Sequence, residues 1–259
     1  MNETRADRVG TRGTDTAVIE LTGVSKCFTP PGRAPVVAIE HVSLEVHEHE
    51  FVVLIGPSGC GKSTLLYMVG GFEQPTAGDV LVESRRARTP GPDRGIVFQD
   101  SALFPWLTVR KNVEFGLRAQ GIRDMSRVDH YLRAMGLDEF GDAYPNTLSG
   151  GMKQRAAIAR TLAPDPGIVL MDEPFAALDA QTRFELGGEV ERICIEERRT
   201  FLFVTHGIRE AVRLADRIVV LSKRPSTVKE IVPVDLPRPR NVHEPDFQKL
   251  ERYVEGLIE

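Results

Sequence analysis

The chain has 259 residues, 41% of them hydrophobic and 27% charged, which suits one large α/β domain or two small ones in an ordinary globular protein. A formal net charge of −4 and a pI near 5.9 exclude the electrostatic footprint of a nucleic-acid binder. No stretch approaches the roughly 20 consecutive apolar residues of a membrane span, so any membrane role has to come through a partner.

The N-terminus, MNETRADRVGTRGTDT, is polar and lacks the apolar core of a secretory signal, so a disordered tail over residues 1–17 and a cytosolic protein are expected. Four short apolar runs follow: Phe51–Ile55 (FVVLI), Ile168–Met171 (IVLM), Thr200–Thr205 (TFLFVT) and Arg217–Leu221 (RIVVL). None alternates apolar with polar residues, so each reads as a strand covered on both faces, as in a parallel sheet. Helical patterns separate them at Lys62–Val69, Gly151–Leu162, Arg183–Glu197 and Ile208–Leu214. Phe247, Leu250, Val254 and Leu257 fall at helical spacing near the C-terminus. The arginine clusters Arg85, Arg86, Arg88 and Arg198, Arg199 read as solvated loop charge. Cys27, Cys60 and Cys194 are scattered, show no metal or redox spacing, and suit a reducing compartment.

Chemically distinctive groups stand directly after three of the strands. In open α/β sheets ligands bind beyond the carboxyl ends of the strands, so these groups imply one shared site. The first, GPSGCGKST from Gly56 to Thr64, meets the phosphate-loop pattern G-x-x-x-x-G-K-S/T, with strand before and helix after. Gly56 and Gly61 let backbone amides face phosphates, Lys62 reaches the terminal phosphates, and the Ser63 hydroxyl meets Mg²⁺. Pro57, Ser58, Gly59, Cys60 and Thr64 complete the cradle, with Cys60 at a variable, non-catalytic position. The second group is Asp172–Glu173 in IVLMDEP. Asp172 ends a buried strand, where a carboxylate that holds Mg²⁺ belongs. Glu173 precedes Pro174, which biases it toward extended backbone and points it away from Asp172, toward an attacking water. The third is His206, after TFLFVT.

A second glycine-rich helix start raises a puzzle. In LSGGMKQR, Ser149, Gly150 and Gly151 place free amides at the beginning of a helix, another anion cradle, 87 residues beyond Lys62. Read alone, it is more readily a helix start capped by a serine.

Taken together, GPSGCGKST, Gln99 in IVFQD, LSGGMKQR, IVLMDEP, ALDA and VTH, in this order and spacing, resemble the ATP-binding subunit of an ABC transporter, from about Ile19 to about Leu221. PGPDRGIVFQDSALFPWLTVRKNV and VDLPRPR resemble more narrowly the ATPases of nitrate-, sulfonate- and taurine-type importers. The resemblance implies an α/β P-loop NTPase (RecA-like) core with a mostly parallel sheet, a small antiparallel β subdomain and an inserted helical subdomain at about 100–158. The ATP-binding domain would span 18–232 and a short helical extension 233–259. It also implies that two such subunits, identical or closely related, meet head to tail. Ser149, Gly150 and Gly151 would then bind the γ-phosphate of the partner's ATP, which answers the puzzle of the second cradle. Glu173 becomes the general base, His206 the group that aligns it, and Gln99 a neighbour of Mg²⁺ and the attacking water. Asp179 in ALDA would line the dimer interface, and Phe28 would stack on adenine, though alone it is as readily a core residue.

The same resemblance supplies the remaining partners: integral membrane permease subunits docked on the helical insertion, and indirectly a solute-binding protein. The ATPase would sit peripherally on the cytoplasmic face of the inner membrane, with ATP and Mg²⁺ as cofactors. Phe104, Trp106 and Leu107 in ALFPWLTV divide between the insertion's own core and an exposed groove wall for the permease. Departures from the family pattern are Gly207, where Asp usually follows the histidine, and Gly187–Gly188, which interrupts a helix that relatives usually fill with helix formers. The 38 residues after Leu221 are few for a regulatory domain. A non-transport ABC protein usually has tandem cassettes or a long coiled-coil insertion, and a P-loop kinase or GTPase leaves LSGGMKQR without work. The solute itself is illegible, because the ATPase never touches it.

Overall fold

The computed structural model describes residues 16–258, and the expected tail lies outside them except at Thr16 and Ala17, where Ala17 already opens a strand. Strands β1 (Ala17–Phe28), β2 (Val36–His47), β4 (Ala77–Val82) and β5 (Arg85–Arg86) form an antiparallel sheet in the order β2-β1-β4-β5. In β2 the alternate residues Val42, Leu44 and Val46 are buried and their neighbours exposed, the period of two of a one-sided sheet.

The larger sheet has the order β10-β9-β3-β8-β7-β6. It comprises β3 (Phe51–Ile55), β6 (Arg94–Val97), β7 (Ile168–Asp172), β8 (Thr200–Val204), β9 (Arg217–Leu221) and β10 (Val228–Pro233). All neighbours pair in parallel except β10, which lies antiparallel to β9 at one edge. Strands β3, β7 and β8 are buried at every position, as their unbroken apolar runs require. Successive residues serve opposite faces: Phe51, Val53, Phe201 and Phe203 join one core, Val52, Leu54, Leu202 and Val204 the other. Phe51 and Phe201 stack with centroids 5.0 Å apart.

Helix α1 (Lys62–Gly70) covers the face toward the small sheet. The other face carries α2 (Val109–Ala119), α3 (Met125–Ala134), α4 (Gly150–Leu162), α5 (Ala180–Glu197), α6 (Ile208–Leu214) and α7 (Pro245–Ile258), all contributing to one core cluster. Helix α4 runs through the expected insertion boundary at 158 without a break. Its last turn is tied to the sheet where the Thr161 hydroxyl donates to the Ile96 carbonyl at 3.1 Å.

Two sequence readings need correction. Arg199 is not solvated: it is 5% exposed and donates to Glu197, Asp165, the Tyr131 hydroxyl and the Pro166 carbonyl. Nor does Gly187–Gly188 interrupt α5, which is continuous. A Cβ at Gly188 would lie 3.0 Å from the Arg213 guanidinium, which covers the Phe184 ring at 3.9 Å and donates to the Phe184 carbonyl at 2.7 Å. The glycines thus make room for a cation–π contact that joins α5 to α6. In the chain beyond β10, Arg240 is buried and donates to the carbonyls of Val212, Arg213 and Ala215, closing the end of α6. The spaced residues of the terminal helix behave alike, with Phe247 and Val254 buried and Leu250 and Leu257 packed beside them.

Candidate nucleotide-binding site

Between β3 and α1 the chain turns through Gly61, whose φ of +105° is open to glycine and strained for other residues. A Cβ there would come within 3.0 Å of Ile39. No side chain caps α1, so the amides at its start are left to a ligand. Lys62 is 5% exposed, and its Nζ donates to the carbonyls of Gly56 (2.9 Å) and Pro57 (3.2 Å) over the loop. Ser58, Gly59, Gly61, Lys62, Ser63 and Thr64 line one wall of a cavity of about 730 Å³. Gly56, Pro57 and Cys60 lie behind this wall; Cys60 is buried with its Sγ 4.0 Å from Lys62 Nζ.

Apolar residues Phe28, Val36 and Ala38 also line the cavity, as do Glu173 and His206. Phe28 is 37% exposed, with Lys26 Nζ 5.1 Å from its ring centre. Such a space, lined by apolar residues as well as by a glycine-rich loop and its lysine, fits a planar base and a chain of phosphates. Asp172, at the tip of β7, is 3% exposed. Its Oδ1 accepts from the Ser63 hydroxyl at 2.8 Å and its Oδ2 from the Tyr67 hydroxyl at 2.7 Å. A buried carboxylate beside a serine hydroxyl and the phosphate cradle is the hard oxygen donor set that Mg²⁺ takes together with phosphates.

Glu173 overturns one expectation, for its backbone is not extended. Its φ is +43°, because its N–H still reaches the Val204 carbonyl (2.9 Å) while its own carbonyl accepts from Ala176 (3.1 Å). The ladder and the turn together outweigh the preference set by Pro174, at a strain of order 1–3 kcal/mol. The carboxylates do diverge: Glu173 Oε2 lies 3.3 Å from His206 Nδ1, while Asp172 faces α1. His206 is largely exposed. Its loop is braced by the Thr205 hydroxyl, which accepts from the Gly207 N–H (2.9 Å) and donates to Glu210 (2.7 Å). Burial, partly offset by the Thr205 bond and by Arg183, raises the Glu210 carboxyl above the ordinary range. A Cβ at Gly207 would meet the Glu210 carboxylate at 3.0 Å, a close approach that a shift of the Glu210 side chain could relieve.

The remaining residues read from the sequence lie elsewhere. Gln99 is exposed two residues beyond β6, at the same end of the sheet as Asp172 but outside the cavity lining. Ser149 is exposed and caps its own helix, accepting from the Met152 N–H at 3.3 Å. A Cβ at Gly150 would meet nothing within 4 Å, whereas one at Gly151 would touch Thr182 at 2.9 Å. Asp179 caps α5, accepting from the amides of Gln181 and Thr182 and from the Thr182 hydroxyl. Those contacts, led by the Thr182 hydroxyl, lower its pKa.

Pro30, Val36 and Ala38 of the cavity lining were not read from the sequence, nor were two polar residues. Arg224 lines the cavity and donates to the Gly59 carbonyl at 2.6 Å, and Tyr67 binds Asp172. Only the spacing of Tyr67 from Ser63, one helical turn, could have signalled the latter.

A parallel sheet, a phosphate loop at the end of its central strand and a carboxylate at the end of another define a P-loop nucleotide hydrolase. The family model described as ABC transporter matches residues 39–176. An uncharacterised ABC transporter ATP-binding protein of Methanocaldococcus jannaschii is 48% identical, over 97% of this chain and 95% of its own length. The nitrate import ATP-binding protein NrtD of Synechocystis is 43% identical, over 93% and 94%. Among solved structures, the cassette MJ0796, dimeric in a post-hydrolysis state with ADP and Pi, superposes with a TM-score of 0.75 at 34% identity, covering 85% of this chain and all of its own. The chain belongs to the ABC transporter family and is an ATP-binding cassette ATPase.

Proposed function

We propose that this ATPase energises an importer of a small anion, working as one of two subunits that enclose ATP between them. The observation that carries this reading is the separation of the two cradles: the phosphate loop lines the cavity, while Ser149 and Gly150 stand exposed outside it. A head-to-tail pair would bring the partner's signature turn over the phosphates, an arrangement supported by the dimeric cassette that this fold resembles.

Within the cavity Phe28 stacks on the base, Arg224 borders the site, and the loop amides with Lys62 hold the phosphates. Ser63 and Asp172 would hold Mg²⁺, which bound there would neutralise phosphate charge, and Gln99 would stand near it. Glu173 takes the proton of the attacking water, and His206, 3.3 Å from it, fixes the carboxylate and meets the γ-phosphate. Asp179, at the start of α5, faces the partner.

The aromatic patch beyond Gln99 supports a permease partner. Buried Asn112 pins the loop through Phe104, Leu107 and Thr108, and Phe104 packs on Phe115 (4.5 Å) and under Arg160. Trp106 is left 70% exposed, a ready anchor for a membrane subunit's helix. No helix among the described residues is long and apolar enough to cross a membrane, so attachment at the cytoplasmic face would be peripheral. The anion assignment is supported by the nitrate relative and by a 44% identical protein named for bicarbonate transport, of which this chain spans 36%.

Replacing Glu173 by Gln tests the catalytic and two-subunit parts of this reading. Turnover is expected to fall by ~10²–10⁴-fold while Mg-ATP binding stays at least as tight, so that closed dimers accumulate. Light scattering that shows an unchanged monomer at saturating Mg-ATP, or turnover within about threefold of wild type, would refute it.

A further inference from the structure

We propose that Tyr67 is a positioning residue for the metal-facing carboxylate, its hydroxyl holding one oxygen of Asp172 so that the other stays turned toward Ser63 and the ion. This rests on the Mg-ATP reading above. Ser63 and Tyr67 are four residues apart on α1, so they share one face of the helix that also starts the phosphate cradle. A single rigid element therefore supplies a donor to each oxygen of a carboxylate that is 3% exposed, at 2.8 and 2.7 Å. A carboxylate held at one oxygen can swing about its terminal torsion, whereas one held at both has its plane fixed. When the metal engages Ser63, the Tyr67 bond is the one that remains to fix the plane of Asp172.

Packing fixes the Tyr67 ring as firmly as the hydrogen bond fixes its hydroxyl. The ring lies 6.2 Å from that of Phe98, and Phe98 in turn meets Phe72 edge-on at 5.8 Å. Tyr67 does not line the nucleotide cavity, so it acts through Asp172 and not on ATP. Phe98 directly precedes Gln99, so the same ring also buttresses the start of that loop. Removing the hydroxyl alone separates these two duties.

The test is Tyr67→Phe, read by electron paramagnetic resonance of Mn²⁺ titrated into the protein with ATP. Loss of a hydrogen-bond partner behind a metal ligand typically weakens metal binding by ~10–100-fold, and that is the expected shift. ATP affinity measured in EDTA should not change. The Mg²⁺ concentration for half-maximal hydrolysis should rise by the same factor, with turnover at saturating Mg²⁺ within about threefold of wild type. Mn²⁺ affinity within about twofold of wild type overturns the proposal. Adding Tyr67→Phe to Asp172→Asn should weaken Mn²⁺ no further, because both act through one carboxylate; full additivity would equally overturn it. If wild-type protein with ATP retains no Mn²⁺, it is the Mg-ATP reading that fails.

Discussion

Two helices in this chain begin at glycine-rich turns, and their surroundings could hardly differ more. The turn before α1 carries no side-chain cap, is backed by buried Lys62 and by Asp172, and opens into a cavity of about 730 Å³. The turn before α4 is exposed and finds its cap in its own Ser149. Both offer a helix dipole and free amides. These features are common to any helix start. A phosphate site needs in addition a lysine, a metal-holding carboxylate and walls. The first turn has all three within its own chain; the second is followed by Lys153 but lies outside the cavity, and under the proposed pairing it completes a site against another subunit.

The strongest way to break this contrast is Ser149→Arg. If the second turn serves the partner's phosphate, turnover should fall by ~10²–10³-fold, as when one donor to the transition state is lost. Equilibrium binding of ATP to the monomer should stay near wild type. A parallel collapse of ATP affinity would place the signature turn in its own chain's site.

Alanine scanning at the two turns sharpens the contrast in stability. Gly61→Ala forces an L-residue to φ +105° and against Ile39, so unfolding in urea should show a loss of ~1–3 kcal/mol. Gly150→Ala meets open space and should leave stability unchanged or raise it by up to about 1 kcal/mol. Turnover should nevertheless fall, because the added methyl group occupies the approach of the partner's phosphate. Equal destabilisation by both changes would contradict the difference in packing.

The smallest effect concerns the His206 loop. The folded state raises the Glu210 carboxyl above its ordinary value, chiefly through burial, so it binds a proton more tightly than the unfolded chain. Its contribution is therefore most favourable below the ordinary carboxylate range and declines as pH rises through the raised value. Glu210→Gln, which can still accept from Thr205, should remove this slope from the difference in urea midpoints measured across pH 4 to 8. An unchanged slope would show that Glu210 ionises in the fold as it does in the unfolded chain.

The sheet was only half legible, for a physical reason. Strands β3, β7, β8 and β9 announce themselves as unbroken apolar runs because both their faces are covered. The antiparallel strands bury one face, and register shifts repeatedly interrupt β1 against β2. Its pattern never settles into the alternation that could be read. Helix α5 starts three residues before its apolar pattern because Asp179 caps it at a turn, a cue carried by one side chain.

By itself the sequence determined where the chemistry is to be sought: a phosphate loop, a carboxylate proposed to hold a metal, a base candidate and a histidine at strand ends, and a second cradle apart from the first. Those are local facts, since each depends on the fixed spacing of a few residues around one turn. What only the tertiary structure decided is how the groups are aimed. The positive φ of Glu173 arises from a hydrogen bond to a neighbouring strand and sets its side chain against His206. The two-point hold on Asp172 arises where α1 crosses the end of β7, and the hydrogen bonds of buried Arg199 join residues up to 68 positions apart. No local pattern encodes such contacts, because their energy depends on desolvation and on partners that folding alone brings within reach.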